Sequence, residues 1–356
     1  MRILHVLPRN MTFNRINATS IDLFVAEIVG ASRFSCSTQV VADVGGFEAL
    51  LPNVIPLASS SGRRRLREIK EIVNCSDADI VVVQQHAPTA IRLASSTTKK
   101  VVLHRHNFVA QTTGPFSGVR RYFKARSLKK LSGLAFVSQA TGRRFELDWP
   151  NVRVPLIVLP NGAYFAPDGP SVERVAEILC VGRVTPEKGI LPAVQAIGRI
   201  LADNQIWSAT IILSEGAGHP AYARAVRSAA KLAGERLHVR WDVPHDVVRA
   251  YNERAAIALI PSVWDEPFGR TALEAHAGGA AVITSGRGGL KEISGPHGVY
   301  LVRVDAPHIS GAIQHLIDQP AVREEMALSG FTRARSLYDI GDVARRFDNF
   351  LESLCD

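Results

Sequence analysis

Residues 256–285 read AIALIPSVWDEPFGRTALEAHAGGAAVITS, and this stretch decides the fold. It begins with an apolar run, AIALIPS, that has the length and composition of a buried strand. Pro267 and Gly269 then mark a loop, TALEAHA has the composition of a helix start, and AAVITS is a second strand-like run. A strand, a helix and a second strand in this order predict a βαβ unit of a parallel sheet.

The same alternation extends along the chain and divides into two series. The strand-like runs of the first series are MRILHVL, TQVVADV, ADIVVVQ, KVVLHRH, GLAFVS and VPLIVLP; those of the second are ILCVGR, SATIILS, LHVRWDV, AIALIPS, AAVITS and VYLVRV. Between the two series, residues 161–174 concentrate Gly, Pro, Asn and Asp, which is typical of a linker. The sequence therefore predicts an α/β chain with two doubly wound domains, 1–166 and 167–337, and a helix at 338–356 that returns toward the first domain.

Length and composition agree with two domains. A chain of 356 residues with 46% hydrophobic and 21% charged residues can bury two cores. No apolar run is long enough to span a bilayer, and MRILHVLP has the pattern of a first strand rather than a signal peptide, so a cytoplasmic location is expected. The cysteines are widely separated and predict neither disulfides nor a cysteine zinc site.

Positive charge is concentrated in the first half of the chain. Residues 1–165 contain 22 Lys and Arg against 10 Asp and Glu, whereas residues 166–356 contain 20 against 23, which indicates an anionic partner of the first half. The densest cluster, GVRRYFKARSLKKL at 118–131, mixes cations with apolar residues. It predicts peripheral contact with an anionic membrane, on the inner face; the alternative is a solvated helix that packs Leu128 and Leu131 into the core.

Two glutamates of the quoted stretch have the chemistry of a ligand site. Glu266 lies in the loop, and Glu274 lies one turn inside the helix that follows Gly269. A helix N-terminus, here Gly269, Arg270 and Thr271, offers free N–H groups and the positive end of a dipole to a phosphate. Glu274 can accept hydrogen bonds from a ribose diol, and Glu266 from sugar hydroxyls. The alternative is two surface glutamates that cap a helix.

A second motif, ILCVGRVTPEKGI, places Arg183 at the end of a strand and Lys188 before the next helix. Ligands bind at this edge of α/β sheets, and two cations there could neutralise a diphosphate leaving group. The alternative is a pair of ordinary surface cations. A metal could supply the same charge, but the Asp-x-Asp of this chain, Asp77 and Asp79, leads into an apolar strand, so no metal site is predicted.

VGRVTPEKG followed by EPFGRTALEA resembles the retaining GT-B glycosyltransferases, the group 1 or family 4-like enzymes, and LPNGAYF and FVSQAT extend the match over nearly the whole chain. The resemblance implies two Rossmann-like domains facing across a cleft. It also implies transfer of a hexose from a nucleoside-diphosphate sugar to a glycan or lipid-linked acceptor with retention of configuration, in cell-surface polysaccharide or glycolipid synthesis. No cofactor is expected beyond this donor substrate.

The resemblance also assigns roles to individual residues. By this resemblance, Arg183 and Lys188 would contact the donor diphosphate, Glu274 the ribose and Glu266 the sugar. The backbone amides of Phe268 and Gly269 would contact the sugar or phosphate. The base would lie against the backbone near Val243.

A catalytic histidine is implied as well, at the end of a first-domain strand and facing the transferred sugar. VVLHRHN offers His104 and His106, and His106 is preferred because Asn107 matches the His-Asp or His-Asn ending of the family. Period-two alternation places both imidazoles on one face of the strand. A metal site and ordinary structural histidines are the alternatives.

The first loop departs from the family pattern. Related enzymes have a Gly-Gly or similar pair there, whereas this chain has no glycine from Met1 to Val29. Asn14 or Asn17 could contact a ligand instead, and Thr19 or Ser20 could cap the next helix.

Other functions compete with glycosyl transfer. A sugar-nucleotide epimerase of the same fold would use the same diphosphate site without an acceptor, and a non-catalytic nucleotide-sugar-binding relative would keep only the fold. Nucleic-acid binding is suggested by charge alone and is not expected, because no nucleic-acid-binding motif is visible.

Overall fold

The computed structural model describes residues 1–9, 11–14, 18–58, 62–109, 114, 116–170, 173–214 and 218–355. The chain divides into two compact units: Met1–Gly162 with Ile340–Asp356, called unit 1, and Ala163–Asp339, called unit 2. The sequence-based boundaries at 166/167 and 337/338 lie a few residues inside unit 2.

Residues 163–167 of the linker-like stretch 161–174 are packed within unit 2. The Ala163 amide donates to the carbonyl oxygen of Tyr338 over 2.9 Å. The Arg335 guanidinium donates to the carbonyl oxygen of Pro167 over 3.0 Å. Because these contacts join the stretch to the last long helix of unit 2, the boundary precedes the one expected from composition.

Unit 1 is built on a parallel sheet of seven strands in the order β3-β2-β1-β4-β5-β6-β7. The strands are β1 (Ile3–Val6), β2 (Thr38–Ala42), β3 (Val54–Pro56), β4 (Ile80–Gln84), β5 (Lys100–Arg105), β6 (Gly133–Phe136) and β7 (Leu156–Val158). The order of strands reverses between β1 and β4. The short edge strand β3, which ends in proline, is missing from the strands expected from the sequence.

Helices cover both faces of this sheet. The first five are α1 (Ser20–Ala31), α2 (Gly62–Cys75), α3 (Ala87–Ala94), α4 (Ser117–Leu128) and α5 (Gln139–Asp148). Alternate strand residues point to opposite faces, so Val82 packs into the core under α1 whereas Val81 and Val83 pack into the core under α2 and α3. Such two-sided burial explains why the strands read as continuous apolar runs.

Unit 2 repeats this design with six parallel strands in the order β10-β9-β8-β11-β12-β13. They are β8 (Val175–Arg183), β9 (Ser208–Ser214), β10 (Leu237–Trp241), β11 (Ala255–Ile260), β12 (Ala281–Thr284) and β13 (Gly298–Tyr300). The helices are α6 (Ile190–Asp203), α7 (Pro220–Leu232), α8 (His245–Arg254), α9 (Arg270–Gly278), α10 (Leu290–Ser294), α11 (Ala306–Asp318) and α12 (Pro320–Tyr338). Here the reversal lies between β8 and β11.

The last helix, α13 (Ile340–Ser353), belongs to unit 1. Phe347 and Leu351 are buried in the same core as α1. The Asp348 carboxylate accepts hydrogen bonds from Ser32 Oγ (2.7 Å) and from the Arg33 amide (3.0 Å) just after α1. Apolar burial and these polar contacts together hold the chain end on the first sheet.

Candidate active site

The expected site residues lie at the edge where the carboxyl ends of the strands meet. In unit 2, β8 ends at Arg183 and pairs with β11 on the other side of the reversal in strand order. In unit 1, the corresponding reversal lies between β1 and β4. Open α/β sheets bind ligands in the crevice at such a reversal. Both edges are therefore candidate binding sites.

Lys188 is positioned by the loop that follows β8. A single 3-10 turn carries Lys188, and Gly189, with a φ of +65°, leads the chain into α6. A Cβ atom at position 189 would overlap the carbonyl oxygen of Pro261, so glycine is needed for this loop to lie against the residues after β11. The Val263 amide donates to the Glu187 carbonyl oxygen over 2.8 Å and fixes the contact.

The ammonium group of Lys188 forms an ion pair with the carboxylate of Glu266. The two side chains are 19% and 8% exposed, so the pair lies largely out of water. Ser262 Oγ donates to Glu266 Oε1 over 2.6 Å, and Lys188 Nζ lies 5.6 Å from the centroid of the Trp264 ring. Lys188, expected to bind the diphosphate, and Glu266, expected to bind the sugar, are thus in direct contact. The sequence alone did not predict this contact.

A glycine-rich segment supports Glu266 from the other side. The Gly289 amide donates to the Glu266 carbonyl oxygen over 2.7 Å, and Gly288 forms a parallel bridge with Glu266. Gly288 has a φ of +59°, and a Cβ atom there would overlap the same carbonyl oxygen. The glycines of the GRGG sequence therefore allow residues 286–289 to lie directly against the glutamate loop.

Helix α9 presents Glu274 as a permanent carboxylate. The helix begins after Gly269, whose φ of +110° strains any residue with a side chain. Glu274 Oε1 accepts hydrogen bonds from Arg270 Nε (2.7 Å) and from His245 Nε2 (2.8 Å). Burial by itself raises the pKa of Glu274, but the charge of Arg270 and the hydrogen bond from His245 outweigh burial and lower this pKa to about 2. His245 was not among the residues expected from sequence, although it begins the helix of the PHDVVRAYNER segment.

The other expected diphosphate ligands differ in how accessible they are. Arg183 is exposed at the end of β8 and, within the described residues, forms no ion pair. The guanidinium of Arg270 is 11% exposed and bonds to Glu274 on its own helix. Thr271 is half-buried in the first turn of α9. Arg183 is thus better placed than Arg270 to meet a phosphate with its side chain.

Phe268 and Val243 can offer mainly their backbone to a ligand. The Phe268 side chain is 4% exposed and meets the Tyr338 ring edge-on, with 5.7 Å between ring centroids. Val243 is half-buried just beyond β10 and packs with Val248 and Tyr251. Contact of a ligand with the backbone at these two positions stays a prediction.

The Asp-x-Asp motif lies at the opposite edge of the unit 1 sheet from the strand ends described above. Asp79 immediately precedes β4 and accepts a hydrogen bond from the Arg2 amide over 2.8 Å, and Asp77 pairs with the Arg2 guanidinium. Within the described ranges, no group of three or more His, Cys, Asp or Glu side chains is placed to hold a metal ion. Metal independence stays a prediction.

In unit 1, the imidazoles of His104 and His106 lie on the same face of the sheet, with ring centroids 4.2 Å apart. Both rings meet the Phe24 ring edge-on. His104 is fully buried; in the described part of the chain its ring nitrogens make no hydrogen bond of normal geometry, and its polar neighbour is the backbone of Leu159. His106 is half-buried just beyond β5, so it is the histidine of this pair that a ligand can reach.

Gln84 connects His106 to a third imidazole. This fully buried side chain accepts a hydrogen bond from His106 Nε2 at its Oε1 (2.8 Å) and donates from its Nε2 to His5 Nδ1 (3.0 Å). Gln85, a non-glycine residue with a φ of +60°, accepts from the His106 backbone amide over 2.9 Å. Because Gln84 presents an oxygen, the His106 proton lies on Nε2, and Nδ1 is left as an acceptor.

These imidazoles are neutral. Burial lowers the pKa of His5 to about 4, and burial together with the charge of Arg105 lowers that of His106 to about 3. Burial and the neighbouring His106 hold the pKa of His104 far below its usual range. At neutral pH, His106 can therefore accept a hydrogen bond but cannot supply a positive charge.

The first loop offers less than its sequence suggests. Asn14 is fully buried and its amide donates to the Val44 carbonyl oxygen over 3.1 Å, so the interpretation of Asn14 as a ligand contact is wrong. Asn17 lies outside the described residues. Thr19 is the N-cap of α1, and the Asp22 carboxylate accepts a hydrogen bond from the Thr19 backbone amide over 2.8 Å, as in a capping box.

Replacing Glu274 should change how stability depends on pH. A carboxyl with a folded pKa of about 2 and an ordinary value of 4.5 stabilises the fold above pH 4.5, and this contribution is lost as the pH falls through about 2. Glu274→Gln should lower the free energy of unfolding by about 3 kcal/mol near pH 7, with a difference from wild type that shrinks toward about pH 3. Urea unfolding at several pH values measures this. Glu253→Gln, in an exposed pair with Arg249, should change little; an equal effect of both variants would contradict the assignment.

Gln84 should set the tautomer of His106. In wild type, nitrogen NMR of the histidine rings should show a neutral His106 protonated on Nε2 down to about pH 4, because its pKa is about 3. Gln84→Ala should mix the two tautomers, whereas Gln85→Ala removes only a backbone contact and should preserve the Nε2 proton. A proton on Nδ1 in the wild-type chain would refute the arrangement.

Comparison with known proteins gives the family. Residues 166–332 match the model of the family described as "Glycosyl transferases group 1". Over 171 residues the chain is 34% identical to the glycogen synthase of Mycobacterium tuberculosis, covering 48% of this chain and 40% of that protein. Over 193 residues it is 26% identical to the lipopolysaccharide 1,2-N-acetylglucosaminetransferase of Salmonella typhimurium, covering 52% and 50%. The chain thus aligns with half or less of the length of these relatives.

Solved structures agree over the full chain. Anabaena Alr3699/HepE in complex with UDP-glucose superposes with a TM-score of 0.75 at 17% sequence identity, covering 99% of this chain and 100% of that one. The resemblance to this neighbour establishes the GT-B fold with its two parallel α/β sheets. Within this fold, residues 166–332 match the family of group 1 glycosyltransferases.

Proposed function

We propose that this chain is a glycosyltransferase that moves a hexose from a nucleoside-diphosphate sugar to a glycan or lipid-linked acceptor, with retention of configuration. The observation that carries the proposal is the meeting of Lys188, Glu266 and the N-terminus of α9 at the carboxyl edge of the unit 2 sheet. Support comes from the family of residues 166–332 and from the relative that acts on lipopolysaccharide.

The donor diphosphate would bind to cations and backbone amides. The N-terminus of α9, which begins at Arg270 after Gly269, presents the positive end of the helix dipole and suits a phosphate. Arg183 adds an exposed positive charge. Lys188 has three N–H donors, so it can keep its bond to Glu266 and still donate to a phosphate oxygen. These groups would stabilise the negative charge that develops on the leaving diphosphate, without a metal ion.

The nucleoside would be recognised through Glu274. Both His245 and Arg270 bond to Oε1 of this carboxylate, so Oε2 would be available to accept a hydrogen bond from a ribose hydroxyl. Two donors on one oxygen also hold the carboxylate in a single orientation. The base would lie against the backbone near Val243.

In the transfer step, the bond between the anomeric carbon and the diphosphate oxygen breaks, and a bond from that carbon to the acceptor oxygen forms on the same face. The acceptor hydroxyl gives its proton to the departing diphosphate oxygen, so no strong protein base is required. Glu266 would position and stabilise the sugar, since Ser262 and Lys188 already hold its carboxylate in place. His106 would accept a hydrogen bond from the sugar at Nδ1.

Removing Lys188 or Arg183 should slow transfer. Lys188→Ala or Arg183→Ala should lower turnover by about a hundredfold or more, because loss of one donor to a developing anion costs roughly 3 kcal/mol. Lys231→Ala, an exposed lysine of α7 in the same unit, is the control and should be neutral. The assay measures sugar release and transfer from UDP-, GDP- and ADP-sugars in EDTA. Full activity in both site variants would rule out this diphosphate site, and conversion of the donor without any acceptor would identify an epimerase instead.

We further propose that α4 holds unit 1 at an anionic membrane surface. Among the described residues no helix has the length and apolar character to cross a bilayer, so contact would be peripheral. Leu128 and Leu131 are buried in the core, as the solvated-helix alternative requires. The opposite side of the helix nevertheless exposes Tyr122 (62%) and Phe123 (60%).

Charge around these aromatic rings favours an anionic surface. Arg120, Arg126 and Lys129 are exposed, whereas Arg121 and Lys124 lie over the Trp149 indole, at 5.5 and 4.9 Å from the ring centroid. Basic residues close to anionic lipid contribute about 1 kcal/mol each at moderate salt. Exposed rings between such cations would enter the headgroup region.

Liposome co-sedimentation tests this contact. Binding should rise with the content of phosphatidylserine, fall with salt, and weaken severalfold when Tyr122 and Phe123 become Ser. Leu232→Ser, which removes an even more exposed apolar residue from unit 2, should leave binding unchanged. A wild-type chain that stays in the supernatant at low salt would contradict a membrane role for α4.

A further inference from the structure

The carboxyl edge of the unit 1 sheet carries arginines that the proposed donor chemistry does not use. Val6 of β1 pairs with Val83 of β4. Arg9 comes three residues after Val6, and His86 comes three residues after Val83, so both leave the sheet at the same level. Arg105 is the last residue of the neighbouring strand β5. Three adjacent strand ends therefore bring Arg9, His86 and Arg105 to one place.

The convergence is visible in the electrostatics of His86. Burial, followed by the charges of Arg9, Arg92, Arg105 and Arg65, lowers the pKa of this imidazole. The four arginines come from four separate elements: the loop after β1, helix α3, strand β5 and helix α2. A group of like charges gathered from distant parts of the sequence is not the outcome of a local charged run.

Among the described residues, one of these four arginines is paired with a carboxylate. Arg65 is buried and bonds to both oxygens of Asp43, at 2.5 and 2.6 Å. In the parts of the chain that the structure describes, Arg9, Arg92 and Arg105 form no ion pair. Arg9 and Arg92 are exposed and free to bond a ligand.

Arg105 is the most constrained of the three. Its guanidinium donates to the carbonyl oxygens of Gln85 and, over 3.0 Å, of Phe108, and burial lowers its pKa to about 10. Its Nε is buried without a hydrogen-bond partner among the described residues. A half-buried guanidinium held by neutral oxygens alone keeps an uncompensated positive charge, which an anion from outside would compensate.

We propose that Arg9, Arg92 and Arg105 bind a phosphate group carried by the acceptor, an inference that rests on the proposed glycosyltransferase function. Guanidinium groups match phosphate oxygens with paired N–H donors, and this edge of an α/β sheet is where ligands bind. The charge of Arg105 acts on the His106 imidazole, so a phosphate bound to Arg105 would lie near this ring. The acceptor is then a phosphorylated sugar or a glycan on a lipid phosphate, rather than a neutral glycan.

Calorimetry on the full chain tests the soluble form of this acceptor. The probe is glucose 6-phosphate, compared with glucose, in wild type and in Arg9→Gln and Arg92→Gln, whose exposed positions should tolerate the change. Each variant should weaken glucose 6-phosphate binding by about tenfold, because it removes a charge-assisted hydrogen bond. Arg143→Gln, an exposed arginine of α5, and Arg183→Gln, in the donor site, are matched controls and should keep wild-type affinity for this probe.

A vesicle arm tests the lipid form. Co-sedimentation of the chain with vesicles that contain phosphatidic acid, a phosphate monoester, is compared with co-sedimentation with vesicles that contain the same amount of phosphatidylserine. General attraction of α4 to anionic lipid contributes to both and does not affect the comparison. Arg9→Gln with Arg92→Gln should abolish any preference for phosphatidic acid. Loss confined to glucose 6-phosphate, or to phosphatidic acid, would support the phosphate site and name its source.

Two results overturn the inference. One is that neither probe responds to Arg9→Gln and Arg92→Gln more than to Arg143→Gln. The other is that glucose 6-phosphate binding is lost only in Arg183→Gln, which would place the anion in the donor site. Nucleotide-sugar affinity measured in the same variants separates the two proposals. If the nucleotide sugar binds normally but the phosphate site fails, the proposed function stands. If the nucleotide sugar does not bind but the phosphate probes respond as expected, the phosphate site stands and the proposed function fails.

Discussion

The ion pair between Lys188 and Glu266 forms because three segments that are distant in sequence meet at one edge of the unit 2 sheet. Gly189 allows the first segment to lie against Pro261, and Gly288 allows the third to lie against the backbone of Glu266. A side chain at either glycine would push the segments apart. Removing one partner of so well buried a pair would leave an uncompensated charge, typically at a cost of about 3–5 kcal/mol. The donor-site chemistry proposed for this edge depends on that geometry.

The two sheet edges achieve their polarity in opposite ways. In unit 2, both glutamates are held by positively charged or hydrogen-bonding partners, and Glu274 stays ionised because Arg270 and His245 outweigh its burial. In unit 1, His106 is kept neutral by burial and by the charge of Arg105. One edge therefore holds ordered carboxylates that can accept hydrogen bonds from hydroxyl groups. The other combines neutral imidazoles with Arg9, Arg92 and Arg105, which form no ion pair with any residue that the structure describes.

Much of the fold could be predicted from the sequence, because it is written in local patterns. Apolar runs predict the central strands of both sheets. Gly269, followed by a segment with the composition of a helix, predicts the start of α9. The edge strand β3 was missed because three residues ending in proline carry no periodic signal. Composition also misplaced the boundary near Pro167, since Gly and Pro mark turns whether or not the turn is packed.

Contacts between separate segments were not predictable in the same way. Glu266 and Lys188 were each predicted to contact the donor, but their ion pair arises only when two loops are folded together. His245, Gln84 and Arg65 gave no signal either, because their roles depend on partners from other strands and helices. A lone polar residue in sequence does not reveal which distant group it will meet.

The most direct measurement is the binding of nucleoside diphosphates to the full chain by calorimetry, with UDP, GDP and ADP in the presence of EDTA. If the edge of unit 2 is a donor site, at least one of them binds without a divalent ion, and Glu274→Ala weakens that binding more than Glu266→Ala does. Binding of none of the three, or equal loss in both variants, would contradict the assignment of the carboxylates and with it the donor site.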